Sequence, residues 1–147
     1  TMKIYYFLES SDGYIENSNS DTIEHFRIDE ELAVLKNVKS VNSKKMVLGE
    51  LCSAVSIEYK PNIDYIEKVI GVYYFNPKYK LNKELYIHHK DNFWNLFVAK
   101  SGSISVRNEI TYFPIYKAIY QASNIEEQKI DDRLFILNPN KFIKEKD

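Results

Sequence analysis

The sequence has few of the residues that mark enzymes and metal proteins. Its 147 residues include one cysteine, four glycines, four prolines and three histidines. A single cysteine excludes an internal disulfide and every multi-cysteine metal site. The chain has no glycine-rich phosphate-binding loop and no nucleophile elbow. No motif therefore indicates a reaction, and we expect no cofactor and no metal ion.

Long apolar runs are missing too. No stretch approaches the roughly 18 apolar residues that cross a bilayer, and the first residues lack the pattern of a signal peptide. These absences predict a cytoplasmic protein that makes no membrane contact. Thr1, which precedes Met2, is interpreted as a residue left over from expression. We expect one domain over residues 2–147, with a frayed tail at about 141–147.

Aromatic residues are abundant instead, with 12 Tyr, 8 Phe and 1 Trp, and 44% of the chain is hydrophobic. Such a chain can bury a continuous core. Runs of β-branched and aromatic residues predict strands over residues 3–8, 22–28, 45–59 with a bend at Gly49, 72–75 and 133–137. The clearest hairpin signal is the pair of runs 85–89 and 93–99, which are joined through residues 90–92.

Helical patterns are fewer and shorter than the strand patterns. The spacing of apolar residues predicts helices over about 29–38, 61–70 and 115–122. Most of the strand signals lie at hairpin-length spacings. The expected fold class is therefore α+β, with a mainly antiparallel sheet and a few short helices in a single compact domain.

Charge is unevenly distributed, although the net charge is only −1. Residues 1–31 carry eight acidic and two basic groups. A solvated face is one interpretation of this acid excess, and a docking surface for a basic partner is the other. For a docking surface we expect contacts from four acids and one aromatic anchor, namely Glu9, Asp12, Glu16, Asp21 and Tyr14.

These features favour a protein-binding domain without catalysis of its own. Tyrosine supplies large, rigid contact area at interfaces, and an acidic patch steers and holds a basic partner. Small single domains of this kind often neutralise a toxin or an effector. We therefore expect an immunity-type or antitoxin-type inhibitor of a basic partner protein.

A small hydrolase or nuclease is the first alternative. His88, His89 and Asp91 form the one cluster that resembles a catalytic set. Adjacent side chains of a strand point to opposite faces, however, so two neighbouring histidines of one strand do not share a site. Cys52 lies in the apolar stretch LGELCSAVSI, where we expect a small core residue and not a nucleophile.

A small-nucleotide-binding protein is the second alternative. Stacked tyrosines would hold the base, and Lys78, Lys80 or Lys83 would contact the phosphate. Aromatic and basic residues are interleaved over residues 73–117, as in proteins that hold single-stranded nucleic acid. The balanced net charge and the presence of only three arginines nevertheless argue against a nucleic-acid partner.

Overall fold

The computed structural model describes residues 1–147 and places most of them in two β-sheets. The strands are β1 (Met2–Phe7), β2 (Asp12–Asn17), β3 (Thr22–Arg27), β4 (Ala33–Val47), β5 (Glu50–Pro61), β6 (Lys68–Lys80), β7 (Ser103–Phe113), β8 (Tyr116–Gln121) and β9 (Phe142–Glu145). One α-helix, α1 (Trp94–Ser101), follows β6 in the chain. Short 3-10 turns lie at Lys83–Tyr86, Asp91–Phe93 and Asp132–Phe135.

The smaller sheet has the strand order β1-β2-β3-β9. The first three strands form an antiparallel meander, and β9 joins β3 in parallel from the far end of the chain. Gly13 on β2 lies opposite Phe26 on β3, and a Cβ atom at Gly13 would come within 2.3 Å of the Phe26 ring. Glycine at this position therefore lets the aromatic ring pack directly against the backbone.

The larger sheet is an antiparallel meander of five strands in the order β4-β5-β6-β7-β8. A two-residue turn of Leu48 and Gly49 joins β4 to β5, and both residues have positive φ angles, 51° and 77°. Two positive φ angles are typical of the type I′ turn, whose twist matches that of the flanking strands. The predicted bend at Gly49 between two extended segments is confirmed.

The main core lies between one face of the larger sheet and helix α1. Val55, Ile57 and Tyr59 alternate along β5 and so point to the same face. Phe97 and Val98 of α1, each 0% exposed, pack against this face. A second, smaller cluster on the opposite face contains Cys52. Cys52 is 1% exposed, as the sequence predicted for a small core residue.

The two sheets meet at the segment that precedes α1. The carbonyl oxygen of Ile28, just after β3, accepts hydrogen bonds from the backbone N–H groups of Lys90 (2.7 Å) and Asp91 (3.2 Å). Ile28 itself is buried, and the ring of Tyr6 on β1 lies 4.8 Å from the ring of His89. The smaller sheet is thus fixed to the loop that carries the histidine pair.

The structure confirms the strand predictions for residues 3–8, 22–28 and 72–75, and the chain as a whole is mostly β with a little helix. All three predicted helices are wrong. Most of residues 29–38 and 115–122 belong to β4 and β8, and residues 62–67 form an irregular turn before β6. In the first two cases a helical spacing of apolar residues gave way to pairing with a neighbouring strand, because sheet pairing satisfies the backbone as well as a helix does.

Three further predictions also differ from the structure. The hairpin predicted over residues 85–99 is instead a pair of 3-10 turns and helix α1, whose aromatic residues resemble those of a strand but pack as a helix on the sheet. Residues 132–135 form a 3-10 turn and not a strand. In place of the frayed tail, residues 142–145 form β9, which pairs with β3.

Candidate functional site

Three of the five residues predicted to bind a partner share one face of the smaller sheet. Asp12, Tyr14 and Glu16 alternate along β2, so their side chains point the same way. Glu9 lies in the turn after β1 and Asp21 precedes β3, and both are exposed without an ion pair. The structure thus assembles the central part of the predicted surface and leaves its two ends apart.

The carboxylate of Asp12 is held by two basic side chains of β3. Its Oδ1 atom lies 2.8 Å from Nε2 of His25 and 2.9 Å from a guanidinium nitrogen of Arg27. The hydrogen bond from His25 is the main reason that the pKa of Asp12 is lowered. The other ring nitrogen of His25 faces Glu145 on β9 at 2.8 Å, and the two carboxylates together raise the pKa of His25.

Tyr14 and Glu16 are also engaged within the chain. The ring of Tyr14 packs against the rings of Phe7 and His25. Glu16, whose side chain is 12% exposed, accepts a hydrogen bond from the hydroxyl of Tyr5 and lies 3.4 Å from the ammonium of Lys141. The acids on this face are therefore largely balanced by neighbouring groups, and this face offers less free charge than the sequence suggests.

Taken as a unit, the smaller sheet still carries an acid excess. Residues 1–31 and 141–147 contain ten acidic and five basic residues, whereas residues 32–140 contain eleven acidic and fifteen basic ones. The molecule therefore has an acidic pole at the smaller sheet and a basic pole at the larger one. An acidic pole attracts basic partners over a range set by the ionic strength.

Strand β1 forms a free edge of the smaller sheet. The N–H of Ser18 donates to the carbonyl oxygen of Thr1, which makes residues 1 and 18 a hydrogen-bonded pair of the antiparallel ladder. The odd-numbered residues of β1 then bond to β2. The N–H and C=O groups of Met2, Ile4 and Tyr6 point away from the sheet, where nothing in the chain pairs with them.

An apolar groove runs along this edge. It has a volume of about 660 Å³ and is lined by residues 3–7 together with Leu134 and Phe135 of the third 3-10 turn. The side chains of Ile4, Tyr6 and Phe135 are all exposed there. Of the other free edges, β4 carries four lysines and is interrupted by two bulges, whereas β8 and β9 carry one lysine each. Charges and bulges protect an edge from further pairing, so β1 is less protected than β4, and it is the edge that borders this groove.

A separate pocket lies where β1 meets the segment before α1. Its volume is about 390 Å³, and it is lined by Tyr6, Leu8, Tyr86, His89, Asp91, Asn92 and Trp94. Asp91 is the one carboxylate in this lining. The contribution of Tyr6 and Trp94 was not predicted, because residues so far apart in the sequence share no local pattern.

The histidine pair is divided between the surface and this pocket. His88 is exposed, whereas His89 is 7% exposed and its Nδ1 atom has no hydrogen-bond partner in the protein. Burial lowers the pKa of His89 in spite of the nearby Asp91. His89 and Asp91 share the pocket without a hydrogen bond between them, so the structure gives the hydrolase alternative no assembled acid–base pair.

The remaining candidate groups lie apart from the pocket and the groove. Burial raises the pKa of the Cys52 thiol, which disfavours the reactive thiolate. Lys78 pairs with Glu50, and Lys83 donates to the carbonyl oxygen of Ala99. Two of the three lysines expected to contact a nucleotide phosphate are therefore already engaged. No three His, Cys, Asp or Glu side chains lie close enough to hold a metal ion, and no helix is long and apolar enough to cross a membrane.

A charged cluster on the larger sheet was not predicted. Glu109 on β7 is buried, and its carboxylate contacts the side chains of Lys45, Arg107 and Lys117. The three cations lower the pKa of Glu109 to about 2. Arg107 and Glu109 share a face of β7 by alternation, but Lys45 is 64 residues distant in sequence, and only the fold brings it near. The cluster is a structural feature of the basic pole.

Comparison with protein-family models, with curated proteins and with solved structures finds no match to this chain.

Proposed function

We propose that this protein is a non-catalytic protein-binding domain that accepts an extended, basic segment of a partner protein as an additional strand beside β1. The observation that supports the proposal most strongly is the free edge, at which Met2, Ile4 and Tyr6 present unpaired N–H and C=O groups. Main-chain hydrogen bonds to an added strand supply affinity, and pockets for alternate side chains supply specificity.

The groove beside β1 supports the same proposal. Ile4, Leu134 and Phe135 expose apolar surface along the path that an added strand would follow. Burial of apolar surface contributes about 25 cal/mol per Å². A partner segment that alternates apolar and polar residues would place its apolar side chains against this groove and its polar ones toward solvent.

The acid excess of the smaller sheet supports a basic partner. Electrostatic complementarity raises association rates and rejects partners of the wrong sign. An inhibitor that neutralises a basic toxin or effector, as an immunity protein or antitoxin does, is the biological role that we propose for such a domain. The sequence-based prediction placed the contact surface on the acids of β2, which are paired within the chain. We propose instead that the partner contacts the adjacent edge of β1.

The experiment selects peptides on the wild-type protein and then tests them on a variant with a blocked edge. Random 12-residue peptides displayed on phage are selected on the wild-type protein alone, and the selected peptides are then measured on Ile4→Pro. Proline at Ile4 removes an outward N–H group and no bond to β2, which an edge strand tolerates. Circular dichroism and thermal unfolding verify that the variant is folded.

A matched control comes from the other sheet. The N–H of Ala122 donates to the carbonyl oxygen of Val106, so the N–H of Ile119 on β8 points away from β7 by the same alternation. Ile119→Pro therefore removes an equivalent edge N–H far from β1. We expect selected peptides with alternating apolar residues and several Lys or Arg, equal binding to wild type and Ile119→Pro, and binding about tenfold weaker to Ile4→Pro. Equal binding to all three proteins would refute strand addition at β1.

A further inference from the structure

We infer that the pocket between β1 and α1 is a binding site for an organic cation, which in the proposed complex is a lysine or arginine side chain of the partner. The inference rests on the proposed function only for the source of the cation. Three aromatic residues, Tyr6, Tyr86 and Trp94, line the pocket together with the carboxylate of Asp91. Aromatic faces combined with a carboxylate form the environment that ammonium and guanidinium groups prefer.

The charges around the pocket favour a cation. Asp91 is the one carboxylate of the lining, and burial beside the rings of Tyr6 and Tyr86 lowers the pKa of His89, which disfavours its charged form. Lys90, which precedes Asp91 in the sequence, does not line the pocket. Its ammonium lies 3.8 Å from the carboxylate of Glu31. The pocket therefore carries one negative charge without an ion-pair partner. Because this charge is partly shielded from water, it attracts a cation more strongly than a fully exposed carboxylate would.

The backbone beneath the pocket is held in an unusual conformation. Asn92 and Phe93 have φ angles of 50° and 59°, in the left-handed region that non-glycine residues seldom adopt. Such strain persists where the surrounding structure demands it and is frequent at ligand sites. The buried ring of Phe93 packs on Tyr59 and fixes the turn, so that Asp91 before it and Trp94 after it both line the pocket.

The position of the pocket connects it to the groove. Tyr6 lines both cavities, so an added strand beside β1 ends next to the pocket. A basic side chain near that end of the partner segment can therefore enter the pocket while the backbone of the segment pairs with β1. This arrangement gives the acidic protein a defined contact for one cation of a basic partner.

The test uses the fluorescence of Trp94, the only tryptophan in the chain. The probes are the amides of Nα-acetyl-lysine, Nα-acetyl-trimethyllysine and Nα-acetyl-arginine, with uncharged Nα-acetyl-norleucine amide as the control. We expect saturable fluorescence changes with the cationic probes and none with norleucine amide. The order of affinity among the three cations identifies which side chain the pocket prefers. The absence of a saturable response to the cations would overturn the inference, whether or not norleucine amide or adenosine monophosphate binds.

Two variants locate the binding. Asp91→Asn keeps the size of the side chain and should weaken cation binding about tenfold, and Tyr86→Leu, which keeps an apolar wall, should weaken it severalfold. Asp64→Asn, an exposed acid in the turn before β6, should leave it unchanged. Ile4→Pro should also bind the small cations normally. Loss of peptide binding alone in Ile4→Pro tests the proposed function, and loss of cation binding in Asp91→Asn tests this inference, so the two can fail separately. Equal cation binding by Asp91→Asn and wild type would refute the cation site.

Discussion

The Nε2 atom of His25 on β3 lies 2.8 Å from the Oδ1 atom of Asp12 on β2. Because Glu145 on β9 faces the other ring nitrogen, the protonated ring of His25 joins three strands of the smaller sheet. The protonated imidazole donates from both nitrogens, whereas the neutral ring can donate from only one. The charge of His25 therefore adds to the backbone pairing that attaches β9 to β3.

The stability of the smaller sheet should depend on pH through His25. Its pKa in the folded protein is raised, chiefly by the hydrogen bond to Asp12, above the ordinary value of about 6.5. The corresponding stabilisation is complete below about pH 6.5 and is lost as the pH rises through the folded-state pKa. Urea unfolding should show a decrease in the free energy of unfolding between pH 6 and pH 9 that His25→Gln lacks. Identical pH profiles for the two proteins would contradict this role.

Glu109 should dominate the response to acid. Its pKa is lowered from 4.5 to about 2, first of all by the hydrogen bond from Lys45. A carboxylate with a lowered pKa contributes stability above its unfolded-state pKa and loses it as the pH falls through the folded-state value. The difference corresponds to about 3 kcal/mol at most. We expect Glu109→Gln to be about 2–3 kcal/mol less stable than wild type at pH 7 and nearly equal to it at pH 2, whereas Glu67→Gln, an exposed acid, should show no such convergence.

The turn between β4 and β5 offers a stabilising substitution. Leu48 has a φ of 51°, and the left-handed conformation costs a residue with a β-carbon about 1–2 kcal/mol of conformational free energy. Asparagine accepts this region more readily and is common at the first position of a type I′ turn. Leu48→Asn should raise the free energy of unfolding by about 1 kcal/mol. The change Gly49→Ala should lower the free energy of unfolding by a similar amount, because the φ angle of Gly49 is also positive. A Gly49→Ala variant more stable than wild type would show that the turn does not have a left-handed conformation at this position.

Helix α1 should be held by its packing against the sheet. Phe97 is fully buried among the rings of Tyr73, Phe75 and Trp94. Replacement of a buried phenylalanine by alanine removes about 3–5 kcal/mol. Phe97→Ala should show this loss in chemical unfolding, and Phe142→Ala, at an exposed position of β9, should remain within about 0.5 kcal/mol of wild type. A small effect at Phe97 would mean that the helix is not part of the main core.

Local sequence patterns predicted those parts of the fold that are formed by residues close together in the sequence. The strand at the start of the chain, the Gly49 bend and the buried Cys52 all follow from a few adjacent residues. Helix α1 could not be predicted in this way, because its aromatic residues have strand propensity and its conformation depends on packing against the sheet. Strand β9 depends on a partner strand about 120 residues earlier in the chain.

The candidate site was only partly predictable for the same reason. Asp12, Tyr14 and Glu16 share a face, as the alternation of a strand requires, but the basic groups that balance the acids come from β3 and from Lys141. The pocket joins Tyr6 to Asp91 and Trp94 across most of the chain. Sequence spacing indicated that His89 and Asp91 were close together, yet it gave no sign of the aromatic walls around them.

The most direct test of the account is amide hydrogen exchange of β1 with and without a selected peptide. The N–H groups of Lys3 and Tyr5 already bond to β2, whereas those of Ile4 and Tyr6 point outward. We predict that the peptide slows exchange at Ile4 and Tyr6 by about tenfold or more and changes Lys3 and Tyr5 far less. Peptide binding that leaves the exchange of Ile4 and Tyr6 unchanged would contradict the addition of a strand at β1.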